Sequence, residues 1–273
     1  MRISSIKTST YVYSICTIVL VFSIYFIGIH LYAKPTHQGV SENNVPSSSL
    51  VASLPVATNI VETQTAKYTI NNIFNVVPID PAGNKKVVLL TMDDGPKSKT
   101  TLDPILATLD AKNVHILFFV VGSYVKLHPD LTTAMQAHGH TIGNHTWDHA
   151  NLTKLPIEKQ IKELDDTSKI IKDTIGTLPQ FFRPPYGMAT AEAKEYVKEN
   201  KMTYMTWSLG GEDWVKKYQS KDALAQHIVE QLHPGANILI HEFPWTRDAL
   251  PEIIDGIRAA GYIIIDPKEI QTL

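Results

Sequence analysis

Two adjacent carboxylates stand in the run Thr91-Met92-Asp93-Asp94-Gly95-Pro96. Such a pair at a strand end, followed by a Gly-Pro turn, is costly unless something cationic faces it. Side chains alternate along a strand, so the two acids can serve different tasks, one toward a metal and one toward a water. Taken alone, the run is as well explained by a turn in which aspartate accepts local hydrogen bonds. A second cluster, His145-Thr146-Trp147-Asp148-His149, spaces two imidazoles four residues apart. That spacing places both on one face of a helical turn, where they can grip one divalent ion. The glutamate that metalloproteases carry beside the first histidine is missing, which disfavours that class. With Asp93-Asp94 added, the residues make a two-histidine, one-carboxylate site with positions open to water.

Further candidates recur downstream. In Arg183-Pro184-Pro185-Tyr186-Gly187 the double proline fixes the backbone. A fixed backbone is one way to present a peptide N–H or hold an arginine at a set distance, although a rigid loop explains it too. Asp213-Trp214 and Leu239-Ile240-His241-Glu242 follow. A histidine at a strand end beside a metal is a general-acid candidate, because its charge changes near neutral pH. His138 and His140 read as turn or core polar residues. No Gly-x-Ser-x-Gly occurs, which disfavours a serine hydrolase.

The elements that must position these residues are short β-rich runs at 87–92, 115–121, 140–144, 180–183, 202–208, 237–242 and 262–266. Amphipathic windows at 157–175, 191–199, 224–232 and 249–259 lie between them. This alternation predicts an α/β fold with a mainly parallel sheet, a distorted (β/α) barrel of about seven strands. Each chemical motif then falls where a strand ends and a loop begins, the usual place for chemistry in such a barrel.

Composition narrows the function classes. The chain has 273 residues, 44% of them hydrophobic and 19% charged, which excludes a largely disordered protein. Lys and Arg number 25 against 27 Asp and Glu, so the basic excess of a nucleic-acid binder is absent. The single cysteine, Cys16, excludes an intramolecular disulfide and any multi-cysteine zinc site. Residues 8–33 contain no Asp, Glu, Lys or Arg, and an apolar run of roughly 20 residues can cross a bilayer as a helix. Arg2 and Lys7 before it predict a cytoplasmic N-terminus with the rest of the chain outside. A cleaved signal peptide, whose apolar region is usually about 7–15 residues, is the competing reading. The expected organisation is a cytoplasmic tip and anchor at 1–33 and a Ser-, Asn- and Pro-rich linker at 34–67. Residues 68–86 approach the domain as strand or linker, and the catalytic domain occupies 87–273.

In their order, Thr-Met-Asp-Asp-Gly-Pro, His-Thr-x-x-His, Arg-Pro-Pro-Tyr-Gly, Asp-Trp and Leu-x-His resemble the motifs of the polysaccharide deacetylase family, the NodB-homology or carbohydrate esterase family 4 enzymes. The resemblance spans about residues 86–273 and implies a role for each motif residue. Asp93 would be the general base, with Arg183 orienting and charge-balancing it. Asp94, His145 and His149 would hold one divalent metal, usually zinc, with cobalt or another divalent ion as the alternative. The Tyr186 backbone N–H would help stabilise the oxyanion. His241 would be the general acid, tuned by Asp213, and Leu239 and Trp214 would line the slot for the acetyl methyl. Departures from the family pattern are Met92 for a common Phe, Gly210 and Gly211 where another acid is frequent, and Glu242 for a frequent Asp.

The resulting expectation is a monomeric, membrane-anchored N-deacetylase whose catalytic domain is extracytoplasmic and whose partner is an N-acetylated glycan. A tether of about 35–50 residues reaches roughly 30–40 Å as a random coil, which suits a wall polymer and favours the N-acetylglucosamine of peptidoglycan. Chitooligosaccharides and O-acetylated glycans are alternatives within the same chemistry. A catalytically silent glycan-binding module is the alternative of a different class; the completeness of Asp93, Asp94, His145, His149, Arg183 and His241 argues against it.

Overall fold

A computed structural model describes residues 65–273. The expected anchor at 1–33, with Cys16, and residues 34–64 of the expected linker lie outside the described residues. Among the described residues no helix is long and apolar enough to cross a membrane.

β1 (Tyr68–Ile70) and β2 (Val76–Pro78) form an antiparallel hairpin in the stretch for which the sequence allows strand or linker. A parallel sheet follows, built from β3 (Val87–Gly95), β4 (Leu117–Val120), β5 (Thr141–Asn144), β6 (Phe181–Phe182), β7 (Thr203–Tyr204), β8 (Leu209–Gly210), β9 (Ala236–His241) and β10 (Ile263–Ile264). Its order is β7-β6-β5-β4-β3-β9-β8, with β10 beside the start of β3. Helices α1 (Lys99–Ala111), α2 (Gly122–Leu127), α3 (Pro129–Ala137), α4 (Ile157–Ile175), α5 (Ala191–Glu199), α6 (Lys221–Glu230) and α7 (Pro244–Ala259) intervene.

Alternation along the strands sorts the core into two layers. Val88, Leu90 and Met92 of β3 pack with Ile238 and Ile240 of β9 among the helix residues. Val87 and Leu89 instead join Leu117, Phe119 and Phe181 in the interior. The same register carries polar residues inward toward the strand ends: Thr91 pairs with Leu239, and Asp93 with His241. Gly143 on β5 makes room for this layer, since a Cβ there would lie 2.7 Å from the Phe119 ring.

Of the sequence-predicted strand at 202–208 only residues 203–204 form a strand, β7, and β8 begins just beyond that range at the opposite end of the sheet. β7 pairs β6, residues 205–208 cross over, and β8 pairs β9. No ladder joins β7 to β8, so the barrel is open along that seam and its sheet has eight strands where about seven were expected. An apolar run does not distinguish a strand from a buried crossing whose Met205 faces the core. The helices at 157–175 and 191–199 lie as predicted, while those at 224–232 and 249–259 start earlier, at Lys221 and Pro244. Pro244 in the first turn and Pro251 in the interior obscure the start of α7 in the sequence.

The hairpin closes the barrel end opposite the motifs. Tyr68 and Val76 are buried with Ile265 and Ile270, and Val76 N–H donates to the Gly235 carbonyl at 2.8 Å. Gly235 has φ +79°, and a Cβ there would lie 2.3 Å from the Val76 oxygen. Gly235→Ala is therefore expected to lower stability by about 1–3 kcal/mol, measured by urea unfolding. An unchanged midpoint would show that the hairpin is not fastened at this residue.

Candidate active site

Arg183, placed by β6, enters the interior with no exposed surface. Its Nη1 donates to Thr91 Oγ1 at 2.7 Å and to Asp93 Oδ1 at 2.8 Å. Its Nη2 donates to the Thr206 carbonyl at 2.6 Å and to Asn237 Oδ1 at 3.1 Å. The guanidinium carbon lies 4.3 Å from the centre of the Phe119 ring, a cation–π stack. Burial pushes the Arg183 pKa down, and the neighbouring Asp93 charge works against that. Asp93 itself is 2% exposed, so this pairing is what allows a carboxylate at that depth.

Asp94 does not point away from Asp93 by simple strand alternation. The β3–β4 register shifts between Asp93 and Gly95, and Asp94 takes φ 69°. This bulge re-aims its carboxylate toward the histidines. Asp94 Oδ1 lies 3.4 Å from His145 Nε2 and 3.1 Å from His149 Nε2. The two histidines do not share a helical turn as their spacing predicts. Residues 145–149 form a loop in which Thr146 (φ 66°) and His149 (φ 56°) are left-handed, and the rings meet edge to face with centres 5.0 Å apart. Neighbours outside the motif hold this loop. Asn144 Oδ1 accepts the Thr146 N–H at 2.8 Å, and Glu163 Oε2 on α4 accepts those of Trp147 and Asp148 at 2.9 and 3.0 Å.

The donor set fits a divalent metal. His145 Nδ1 bonds the Arg183 carbonyl at 2.7 Å, which requires the proton on Nδ1 and leaves the Nε2 lone pair facing Asp94. Asp94 Oδ1 is buried without a hydrogen-bond partner, and the three ligand atoms lie within 4.8 Å of one another. Converging lone pairs of this kind need a proton or a cation between them. Burial would raise the Asp94 pKa, but the two imidazoles hold it well below the ordinary carboxylate range.

A second hydrogen-bonded pair is built on β9. His241 Nδ1 bonds Asp213 Oδ1 at 2.7 Å, and its backbone N–H donates to Asp213 Oδ2 at 2.6 Å. Thr246 Oγ1 and Trp245 Nε1 on α7 donate to Asp213 Oδ2 and to its carbonyl, each at 2.8 Å. Burial pushes the His241 pKa down; the Asp213 hydrogen bond and charge, with Asp93 and Asp94 beyond, outweigh it and raise the pKa above its ordinary value. Trp214 stands edge-on to His241 at 5.3 Å and is half exposed, and Leu239 lies buried beneath. Tyr186 has φ 59° within the turn Pro185–Gly187, and its exposed ring meets His149 at 4.9 Å. Among the described residues no acceptor takes its backbone N–H.

Residues 80–205 match the family model described as polysaccharide deacetylase. The chain is 33% identical over 214 residues to the peptidoglycan-N-acetylmuramic acid deacetylase PdaC of Bacillus subtilis, covering 78% of this chain and 44% of that protein. The solved structure of PdaC superimposes with a TM-score of 0.63 at 35% identity, over 68% of this chain and 90% of the PdaC chain. The chain belongs to the polysaccharide deacetylase family. It is also 33% identical over 196 residues to the peptidoglycan-N-acetylglucosamine deacetylase PgdA of Listeria monocytogenes, covering 71% of this chain and 41% of that one. It thus spans less than half the length of these two relatives. A structure described as BA3943 of Bacillus anthracis, a CE4 family pseudoenzyme, superimposes with a TM-score of 0.64 at 27% identity over 68% of this chain and 65% of that one.

Where this chain departs from the family pattern, the structure supplies local reasons. Glu242 accepts the backbone N–H groups of Lys97 and Ser98 and so fixes the β3–α1 loop. Burial raises its pKa although both amides oppose this. A Cβ on Gly211 would lie 2.9 Å from the Leu239 oxygen, so this position has no room for an acidic side chain. Met92 packs outward in the helix layer. His138 and His140 stand apart from the site: His138 pairs with Asp110, and buried His140 accepts the Ile116 N–H. Burial, then the neighbouring His115, pushes the His140 pKa down to about 4.

The pairing on β9 is testable by NMR titration of the metal-free protein. His241 is expected to titrate above the ordinary histidine pKa of about 6.5. In Asp213→Asn, burial is no longer outweighed and the midpoint should move below it. An unmoved midpoint would remove Asp213 as the source of the shift.

Proposed function

We propose that this family member is a metal-dependent N-deacetylase that releases acetate from the N-acetylglucosamine of peptidoglycan. The observation that carries this reading is the convergence of three intact units on one barrel mouth: Asp93 on Arg183, Asp94 with His145 and His149, and His241 on Asp213. Because one similar fold is described as a pseudoenzyme, fold alone does not separate an enzyme from a silent glycan-binding module. The unbroken set of charged partners favours the enzyme.

Asp94 Oδ1, His145 Nε2 and His149 Nε2 would hold the divalent ion, with zinc favoured by the two-imidazole set. When bound, the ion would polarise the acetyl carbonyl and acidify a water. Asp93 would serve as the base that takes a proton from the water attacking the carbonyl carbon. Arg183 fixes the direction of the Asp93 carboxylate before the attack. The free Tyr186 N–H is placed to receive the developing negative charge. His241 delivers a proton from Nε2 to the departing amine, since its Nδ1 is engaged by Asp213. Its raised pKa favours the proton-bearing form, and the acid is lost as pH rises past it. Asp93 and His241 are register partners on adjacent strands, which supports base and acid acting on one substrate group. Trp214 and Leu239 form the wall beside His241 on which the acetyl methyl rests.

The uncharged run at 8–33 and the polar stretch after it support attachment to the membrane outer face beside the wall polymer. The two peptidoglycan relatives carry different sugars in their names, so the assay must distinguish the products.

Full-length protein should release acetate from peptidoglycan, with less or none from chitopentaose and acetylxylan. A chelator should stop the release and added zinc restore it. Analysis of the digested wall should find glucosamine. Asp93→Asn should lower kcat by roughly 10²–10⁴-fold while keeping bound metal. No acetate from any of the three substrates, or release that a chelator does not affect, would overturn the proposal.

A further inference from the structure

Along the seam that β7 and β8 leave open, one side chain of β9 binds both the crossing strand and the catalytic arginine. Asn237 Nδ2 donates to the Thr206 carbonyl at 3.1 Å. Its backbone N–H donates to Ser208 Oγ at 3.0 Å, and its carbonyl accepts the Ser208 N–H at 3.0 Å. The remaining polar atom, Oδ1, accepts from Arg183 Nη2 at 3.1 Å. Asn237 has no exposed surface, and its register partner is the buried Leu89. An amide at that depth is costly unless its donor and acceptor are both used, and here both are.

The arrangement fixes the guanidinium from one side. Arg183 Nη2 sits between Asn237 Oδ1 and the Thr206 carbonyl, and Asn237 holds that carbonyl in turn. Arg183 Nε has no partner, so the plane is set by the Nη groups and the Phe119 stack. A guanidinium is rigid and planar, so the orientation imposed at Nη2 is transmitted to Nη1, which holds Asp93. We propose that Asn237 is a positioning residue for the Asp93 carboxylate, acting through Arg183 and touching neither the reacting atoms nor the substrate. The inference rests on the deacetylase reading given above.

The test uses full-length protein carrying Asn237→Leu, which fills a similar volume and removes both side-chain bonds, and Asn237→Ser as a second variant should the first fail to fold. Per folded, metal-loaded protein, kcat should fall roughly 10- to 100-fold with KM changed by no more than about twofold. With arginine side chains labelled, the Arg183 Nη resonances should be resolved in the parent, where rotation is locked, and averaged in the variant. Parental kcat in a folded variant would overturn the proposal, as would a loss explained wholly by unfolded protein or unchanged Arg183 resonances. If the parent releases no acetate, the deacetylase reading fails, and the resonances alone judge the clamp: averaging in the variant supports it and no change refutes it.

Discussion

Arg183 carries a full positive charge into the barrel interior, and the catalytic mouth is organised around making that charge tolerable. Four acceptors and an aromatic face surround its guanidinium: Thr91, Asp93, Thr206, Asn237 and the Phe119 ring. Removing one partner of a buried pair typically costs about 3–5 kcal/mol, because the other charge is left uncompensated. The same contacts do chemical work. They fix the direction of the Asp93 carboxylate, and the Arg183 carbonyl fixes the His145 tautomer. One residue therefore couples Asp93 to the cluster of Asp94, His145 and His149.

The barrel's open seam belongs to the same design. Thr206 lies in the crossing between β7 and β8, outside both ladders. Its carbonyl accepts from Arg183 and Asn237. The crossing thus supplies an acceptor inside the barrel.

Much of the site was legible in the sequence because its motifs sit at strand ends. Asp93, Asp94, His145, His149, Arg183, Asp213 and His241 converge as their order suggests. What the sequence hid is backbone geometry. The left-handed turns at Asp94, Thr146 and His149 bring the ligand atoms together, and residue spacing alone suggested a helical turn instead. Hidden too were the supports. Asn237 lies in an apolar run, Glu163 on an amphipathic helix and Thr246 behind a proline, and none carries a local signal of its partner far along the chain. The strand expected at 202–208 shrinks to residues 203–204 for a related reason, since hydropathy reports burial but not which neighbour a segment pairs with.

Central to the proposed arrangement is the division of labour between two neighbouring aspartates, Asp93 on a guanidinium and Asp94 facing two histidines that would share a metal with it. A crystal structure of the zinc-loaded protein, with the ion located by anomalous scattering, tests it most directly. Zinc is expected on Asp94, His145 and His149, with Asp93 still bonded to Arg183 and outside the coordination sphere. Zinc bound through Asp93, with its bond to Arg183 broken, would contradict the account.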